Sequence, residues 1–209
     1  MTKPQNTQDA NAVNLFIIDE SGSMGGMAEN IRETFTGLLE KIKKEQQDLP
    51  ELQQFVNLWT FSNHQFNESI RFQEVQRWDG NPPDYSPMGG TPLYDALGKA
   101  IRSLENSLFV KNLPQNETRV SVFILTDGME NNSREWSLEA IRNCIKACEE
   151  KGWEFTYYGA DHDILAAAEA LNIKNPKAFS KTREGMQQMA QEHVNEEYNK
   201  KLAFIRRIK

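Results

Sequence analysis

Asp19, Ser21 and Ser23 stand at alternate positions just after the apolar run Leu15-Phe16-Ile17-Ile18, and Gly22, Gly25 and Gly26 loosen the chain around them. A carboxylate and two hydroxyls on one tight loop can converge on a single hard cation, and calcium and magnesium select such oxygen ligands. Two further loops offer the same chemistry. Met88-Gly89-Gly90-Thr91-Pro92 places a hydroxyl at a helix start, and Thr126-Asp127-Gly128 places a carboxylate after a second apolar run. Asp19, Ser21, Ser23, Thr91 and Asp127 are thus all oxygen donors. Two carboxylates offset a divalent charge, the hydroxyls fill coordination without adding to it, and waters or a visiting group must complete the shell. Taken singly, each residue has a local reading: Asp19, Ser21, Ser23 and Thr91 suit helix N-caps, and Asp127-Gly128 suits a turn.

The elements that must position these residues follow from the hydrophobic pattern. Strands are predicted at Asn14–Asp19, Phe55–Phe61, Phe66–Phe72, Val120–Leu125 and Trp153–Tyr158, with a short last strand at Ala178–Ser180. Helices are predicted over Met27–Gln47, from Pro92 through Leu104, over Trp136–Glu150 and Ile164–Leu171, and from near Thr182 onward. Their apolar residues recur at helical spacing, as Ile31, Phe35, Leu38, Leu39 and Ile42 do in the first. Alternating strands and helices give a parallel sheet covered on both faces. The turn at Asn63-His64 makes Phe66–Phe72 an antiparallel companion strand. Ligands of such sheets bind at the carboxyl ends of the strands. The loops after Ile18 and Leu125 and before Leu93 therefore belong to one site.

The 209 residues are 38% hydrophobic and 26% charged, with a net charge of −6. That suits one α/β domain and disfavours nonspecific nucleic-acid binding. Basic residues gather at the end, where Lys200, Lys201, Arg206, Arg207 and Lys209 read as a solvated helix face or a contact for an acidic partner or nucleic acid. Residues 1–12 are polar and lack a signal-peptide core, and no apolar run is long enough to span a membrane, so the expected compartment is the cytoplasm. Cys144 and Cys148 lie one turn apart beside Ile141 and Ile145 and read as core; a disulfide or metal pair is the lesser alternative, since no further Cys or nearby His completes a site.

Three motifs together resemble a von Willebrand factor A (vWA) domain: Asp19-Glu20-Ser21-Gly22-Ser23-Met24, Gly89-Gly90-Thr91-Pro92-Leu93 and Leu125-Thr126-Asp127-Gly128. The resemblance covers residues 13–182. It leaves 1–12 as a disordered arm and 183–209 as a C-terminal helix, packed on the domain or free for a partner. It implies a three-layer Rossmann-like sheet, mostly parallel with one antiparallel edge strand. It also implies a metal-ion-dependent adhesion site with Mg²⁺, or Mn²⁺ or Ca²⁺, held by Asp19, Ser21, Ser23, Thr91 and Asp127. A protein partner would supply an Asp or Glu to the ion, and Met88, Glu130, Asn131 and Asp161 would form the rim. Similar stand-alone domains of bacterial or phage type act as adaptors beside AAA-type ATPases, kinases or phosphatases in assembly and stress-response systems. A metal-assisted phosphatase or hydrolase using the same loops is the alternative, as is a purely structural domain. Against an enzyme, position 21 is Ser where a dehalogenase-like site needs Asp, and no phosphate-binding G-x-x-x-x-G-K-[ST] occurs. His64, His162 and His193 are not placed to act as a general base.

Overall fold

A computed structural model describes residues 10–209. The chain forms a six-stranded sheet: β1 (Ala10–Asp19), β2 (Leu52–Phe61), β3 (Phe66–Glu74), β4 (Thr118–Thr126), β5 (Glu154–Gly159) and β6 (Pro176–Ala178). Their order is β3-β2-β1-β4-β5-β6. Only β3 runs antiparallel, paired to β2 across the expected hairpin. Among the described residues six α-helices complete it: α1 (Ala28–Asp48), α2 (Leu93–Asn106), the single turn α3 (Leu108–Lys111), α4 (Leu138–Glu150), α5 (Ile164–Ala170) and α6 (Arg183–Ile208).

Side-chain alternation along β1 divides the core. Phe16 and Ile18 face α1 and α6, meeting Phe35, Leu38, Met186 and Met189. Val13, Leu15 and Ile17 face α2, α4 and α5, meeting Leu97, Ile101, Ile141, Ile145 and Ala168. β1 and β4 are buried on both faces, which is why they read as unbroken apolar runs.

Two expectations need correcting. β1 begins at Ala10, so residues 10–12 belong to the sheet and not to the arm; the rest of that arm lies outside the described residues. The last strand is Pro176–Ala178 rather than Ala178–Ser180, because Pro176-Lys177-Ala178 is the segment that pairs with Tyr157-Tyr158-Gly159. The helix after it is capped by Thr182, whose hydroxyl accepts from Gly185 N at 3.1 Å. That helix, α6, packs along α1 and β1 throughout its length. Phe204 and Ile205 close a small cluster with Ala10, Ala12, Leu49 and Leu52 at the amino end of the sheet, so its distal half is seated on the domain.

The basic residues of α6 are not all solvated. Lys201 is 1% exposed and pairs with Glu45 at 2.8 Å. Arg119 of β4 is also buried and reaches Glu197 of α6 at 2.6 Å. His193 is enclosed by Phe16, Phe123 and Tyr158, and burial lowers its pKa to about 4.

Candidate metal centre

All five oxygen donors meet at the carboxyl end of the sheet. Asp19 ends β1 with no exposed surface; Ser21, Thr91 and Asp127 are buried, and Ser23 is exposed. The Ser21 and Ser23 hydroxyls lie 3.1 Å apart, and Ser23 Oγ donates to Asp127 Oδ1 at 2.6 Å across 104 residues of chain. Thr91 joins this group through the Asp127-Gly128 turn, since a Cβ on Gly128 would lie 3.4 Å from Thr91 Oγ1.

Backbone hydrogen bonds hold the three loops together. Gly22 N donates to Gly89 O at 2.9 Å, Met88 N to Glu20 O at 2.9 Å, and Asn131 N to Thr91 O at 3.1 Å. Gly89 has φ +75°, and a Cβ there would lie 1.9 Å from Asn63 Oδ1, so this position requires glycine on two counts. The carboxylate of buried Glu20 accepts from Ser86 N and from Gln65 Nε2.

Most of the single-residue explanations do not describe what these side chains do. Thr91 does not cap α2; Glu130 Oε2 accepts from Tyr94 N at 2.9 Å and Ser133 Oγ from Asp95 N at 3.0 Å instead. Ser21 sits at the N-cap of the 3-10 turn Gly22–Met27 without a side-chain capping bond. The turn at Gly128 is closed by the Thr126 hydroxyl, not by Asp127. Asp19 alone keeps a local bond, from Ser21 N at 2.8 Å, and its second oxygen accepts from Thr126 Oγ1 at 2.6 Å. The Ser21 and Thr91 hydroxyls and the Asp127 carboxylate therefore close no cap or turn, and Ser21, Ser23 and Asp127 form one bonded series.

The electrostatics ask for a cation. Burial raises Asp19 to about 6 against the hydrogen bonds from Thr126 and Ser21, and the charge of Asp127 adds to the rise. The Lys181 ammonium, just ahead of α6, partly meets that need by bridging Asp127 Oδ2 and Asp161 Oδ2, each at 2.5 Å. An all-oxygen donor set with two acidic groups, already holding an amine, fits a hard divalent ion.

The rim expectations divide. Met88 is 50% exposed and Asp161 is exposed beside Lys181. Asn131 is exposed but positions Thr91, accepting from Thr91 N at 2.9 Å. Glu130 is no rim group: its two oxygens are taken by the amides of Tyr94, Asn132 and Ser133 and the hydroxyl of Ser133, so it organises the loop. His162 is bonded to Tyr157 Oη at 3.0 Å and to Ala160 O at 2.6 Å. Sequence reasoning missed Thr126, Lys181 and the exposed Met129. Thr126 and Met129 could have been found from their place beside Asp127 in the chain, whereas Lys181 depends on where α6 starts.

No protein-family model matches the chain, and no curated protein matches it by sequence. Solved structures do. The vWF domain of the type V pili tip protein Mfa5 from Porphyromonas gingivalis aligns with TM-score 0.59 at 11% identity, covering 87% of this chain and 94% of that one. The SpRpn10 VWA domain gives 0.53 at 12%, covering 86% and 94%. Proximal thread matrix protein 1 from the mussel byssus, solved with a zinc-occupied MIDAS motif, gives 0.60 at 14% over 92% of this chain. This chain spans 47% of that protein's solved chain, and 63% of the PilB minor pilin of Streptococcus sanguinis, another match. At these identities the likeness is one of fold, and the fold is that of vWA domains.

Proposed function

We propose that this chain is a metal-dependent protein-interaction module rather than an enzyme. Asp19, Ser21, Ser23, Thr91 and Asp127 would hold a divalent ion, Mg²⁺ first with Mn²⁺ or Ca²⁺ as substitutes. The observation that carries the reading is the convergence of five oxygen donors from three loops, four of them released from capping or turn closure. When bound, the ion supplies an electrophilic position for an Asp or Glu of a partner. The chain's own residues do the rest: Thr126 and Ser21 orient Asp19, Asn131 sets Thr91, and the exposed Met88 and Met129 offer apolar contact beside the charge. The ring of His162 is held by Tyr157 Oη and Ala160 O.

The solved likenesses support the reading, since one carries an occupied metal-ion-dependent adhesion motif. The partner class remains the one expected from sequence, a protein of an assembly or stress-response system built around an AAA-type ATPase, kinase or phosphatase. The cytoplasm is the proposed compartment. No helix among the described residues is long and apolar enough to cross a membrane.

Affinity capture from a lysate in millimolar Mg²⁺ and again in chelator, analysed by mass spectrometry, tests the module. Capture that needs both Mg²⁺ and Asp127, lost in Asp127→Ala, supports it. Identical captures in the two conditions would overturn it.

Lys181 gives a second prediction. An incoming ion must displace its ammonium from Asp127, and a partly exposed ion pair is worth about 1 kcal/mol. Lys181→Met should therefore tighten Mn²⁺ binding roughly fivefold in calorimetric titration. Weaker binding would show that Lys181 assists the site instead of competing with the ion.

A further inference from the structure

At the other end of α2 from Thr91, about 18 Å along the helix, Glu105 faces α4. There one carboxylate oxygen of Glu105 and the sulfurs of Cys144 and Cys148 all lie within 4.8 Å of one another. Both cysteines are free; Cys148 is fully buried and Cys144 half-buried. The Cys148 thiol approaches Glu105 Oε1 at 3.8 Å, and Lys151 Nζ donates to the same oxygen at 2.6 Å. We propose that Cys144, Cys148 and Glu105 form a second metal site, built for a thiophilic divalent ion such as zinc and independent of the oxygen cluster on the top face.

Three features support this assignment. The donor set is two sulfurs and one carboxylate oxygen, which suits zinc and disfavours magnesium. The three groups are close to tetrahedral spacing: zinc–sulfur bonds of about 2.3 Å put two sulfurs about 3.8 Å apart. The ligands therefore need to draw in by about 1 Å at most, within the reach of side-chain torsions, and water takes the fourth position. The charges also close. Two thiolates and a carboxylate carry three negative charges, and a divalent ion together with the Lys151 ammonium cancels them. Glu105 Oε1, which faces Cys148 and accepts from Lys151, has a second lone pair to offer the ion.

Binding releases both thiol protons to solvent and changes no oxidation state. An apolar core pair would not need the carboxylate, and an oxidised pair would bind no ion.

Cobalt(II), titrated into the reduced full-length protein without oxygen, tests the site. A tetrahedral cobalt–thiolate centre gives a near-ultraviolet sulfur-to-metal charge-transfer band and intense visible bands, whereas cobalt on the oxygen cluster gives neither. The expected result is one equivalent of thiolate-bound cobalt, displaced by zinc. It should be lost in Cys144→Ser, weakened at least tenfold in Glu105→Gln, and unchanged in Asp19→Ala. Absence of the band in the reduced wild-type protein, or its survival in Cys144→Ser, overturns the proposal. Cys144 is half-buried, so its serine variant is the decisive one should Cys148→Ser fail to fold. The top-face reading can fail with this result intact, because Asp19→Ala separates the two.

Discussion

Millimolar Mg²⁺ should raise the melting temperature of the wild-type protein, and Asp19→Asn should abolish that rise while leaving the metal-free protein at least as stable as wild type. Burial raises the Asp19 carboxyl from 3.8 to about 6. A carboxyl whose pKa is higher folded than unfolded favours folding below the unfolded value, and that advantage is lost as pH rises through the folded value. In the metal-free protein the group therefore opposes folding at pH 7 by about 3 kcal/mol relative to pH 3. A bound divalent ion reverses that effect, because an ion that binds only the native state stabilises it. Asn keeps most of the shape and the acceptor oxygen but supplies no charge, so ion affinity should fall about 100-fold or more.

Chemical denaturation in chelator between pH 4 and 7 checks the first half of this prediction. The buried His193 must be separated from it. Its pKa is about 4 when folded, so its contribution is present above its unfolded value of 6.5 and is lost as pH falls towards 4. The two slopes oppose each other, and the difference between wild type and Asp19→Asn isolates the aspartate. A variant that still gains melting temperature from Mg²⁺ would remove Asp19 from the site.

The second large effect is on stability. Arg119→Met should destabilise the protein by about 3 kcal/mol, because it leaves buried Glu197 with only the partly exposed Lys200, at 3.2 Å, as a cationic partner. Burial pushes the Glu197 carboxyl up, but the attraction and hydrogen bond of Arg119 outweigh it and hold it at about 2. The neighbouring pair behaves in the opposite sense. Burial wins at both Lys201 and Glu45, lowering the amine and raising the acid, so each group is drawn towards neutrality. Replacing both, as Glu45→Leu with Lys201→Met, should leave stability within about 1 kcal/mol of wild type or raise it. Urea unfolding of the two variants decides the matter. Equal losses in both would show that the signs of the shifts do not report the balance of burial and attraction.

The same charges show where the sequence could be read and where it could not. β1 and β4 are apolar without interruption because both faces are covered, and that pattern located Asp19 and Asp127 at strand ends. The oxygen donors could be read because motif and strand-end position agreed. The start of β1 could not, because Ala10-Asn11-Ala12 carries no strong strand signal and is ordered by pairing with Leu52-Gln53-Gln54 and by the end of α6. Lys201 looked solvated because burial of an amine depends on a carboxylate 156 residues away. Glu130 looked like a rim residue because its loop lies beside the site, while its oxygens are occupied by amides that only the folded turn presents. Lys181 was invisible for the same reason: its contact with Asp127 spans 54 residues and requires β6 and α6 to be in place.

The meeting of Ala10, Leu52 and Phe204, with Lys209 bonded to Glu51 at 2.6 Å, places both ends of the described chain at the pole remote from Asp19. A tether attached at either end would leave the pole that carries the five oxygen donors pointing outward. Immobilisation through an affinity handle at the amino or the carboxyl end should accordingly give equivalent capture surfaces, and a tandem fusion through either end would carry its cargo at the pole opposite Asp19 and Asp127.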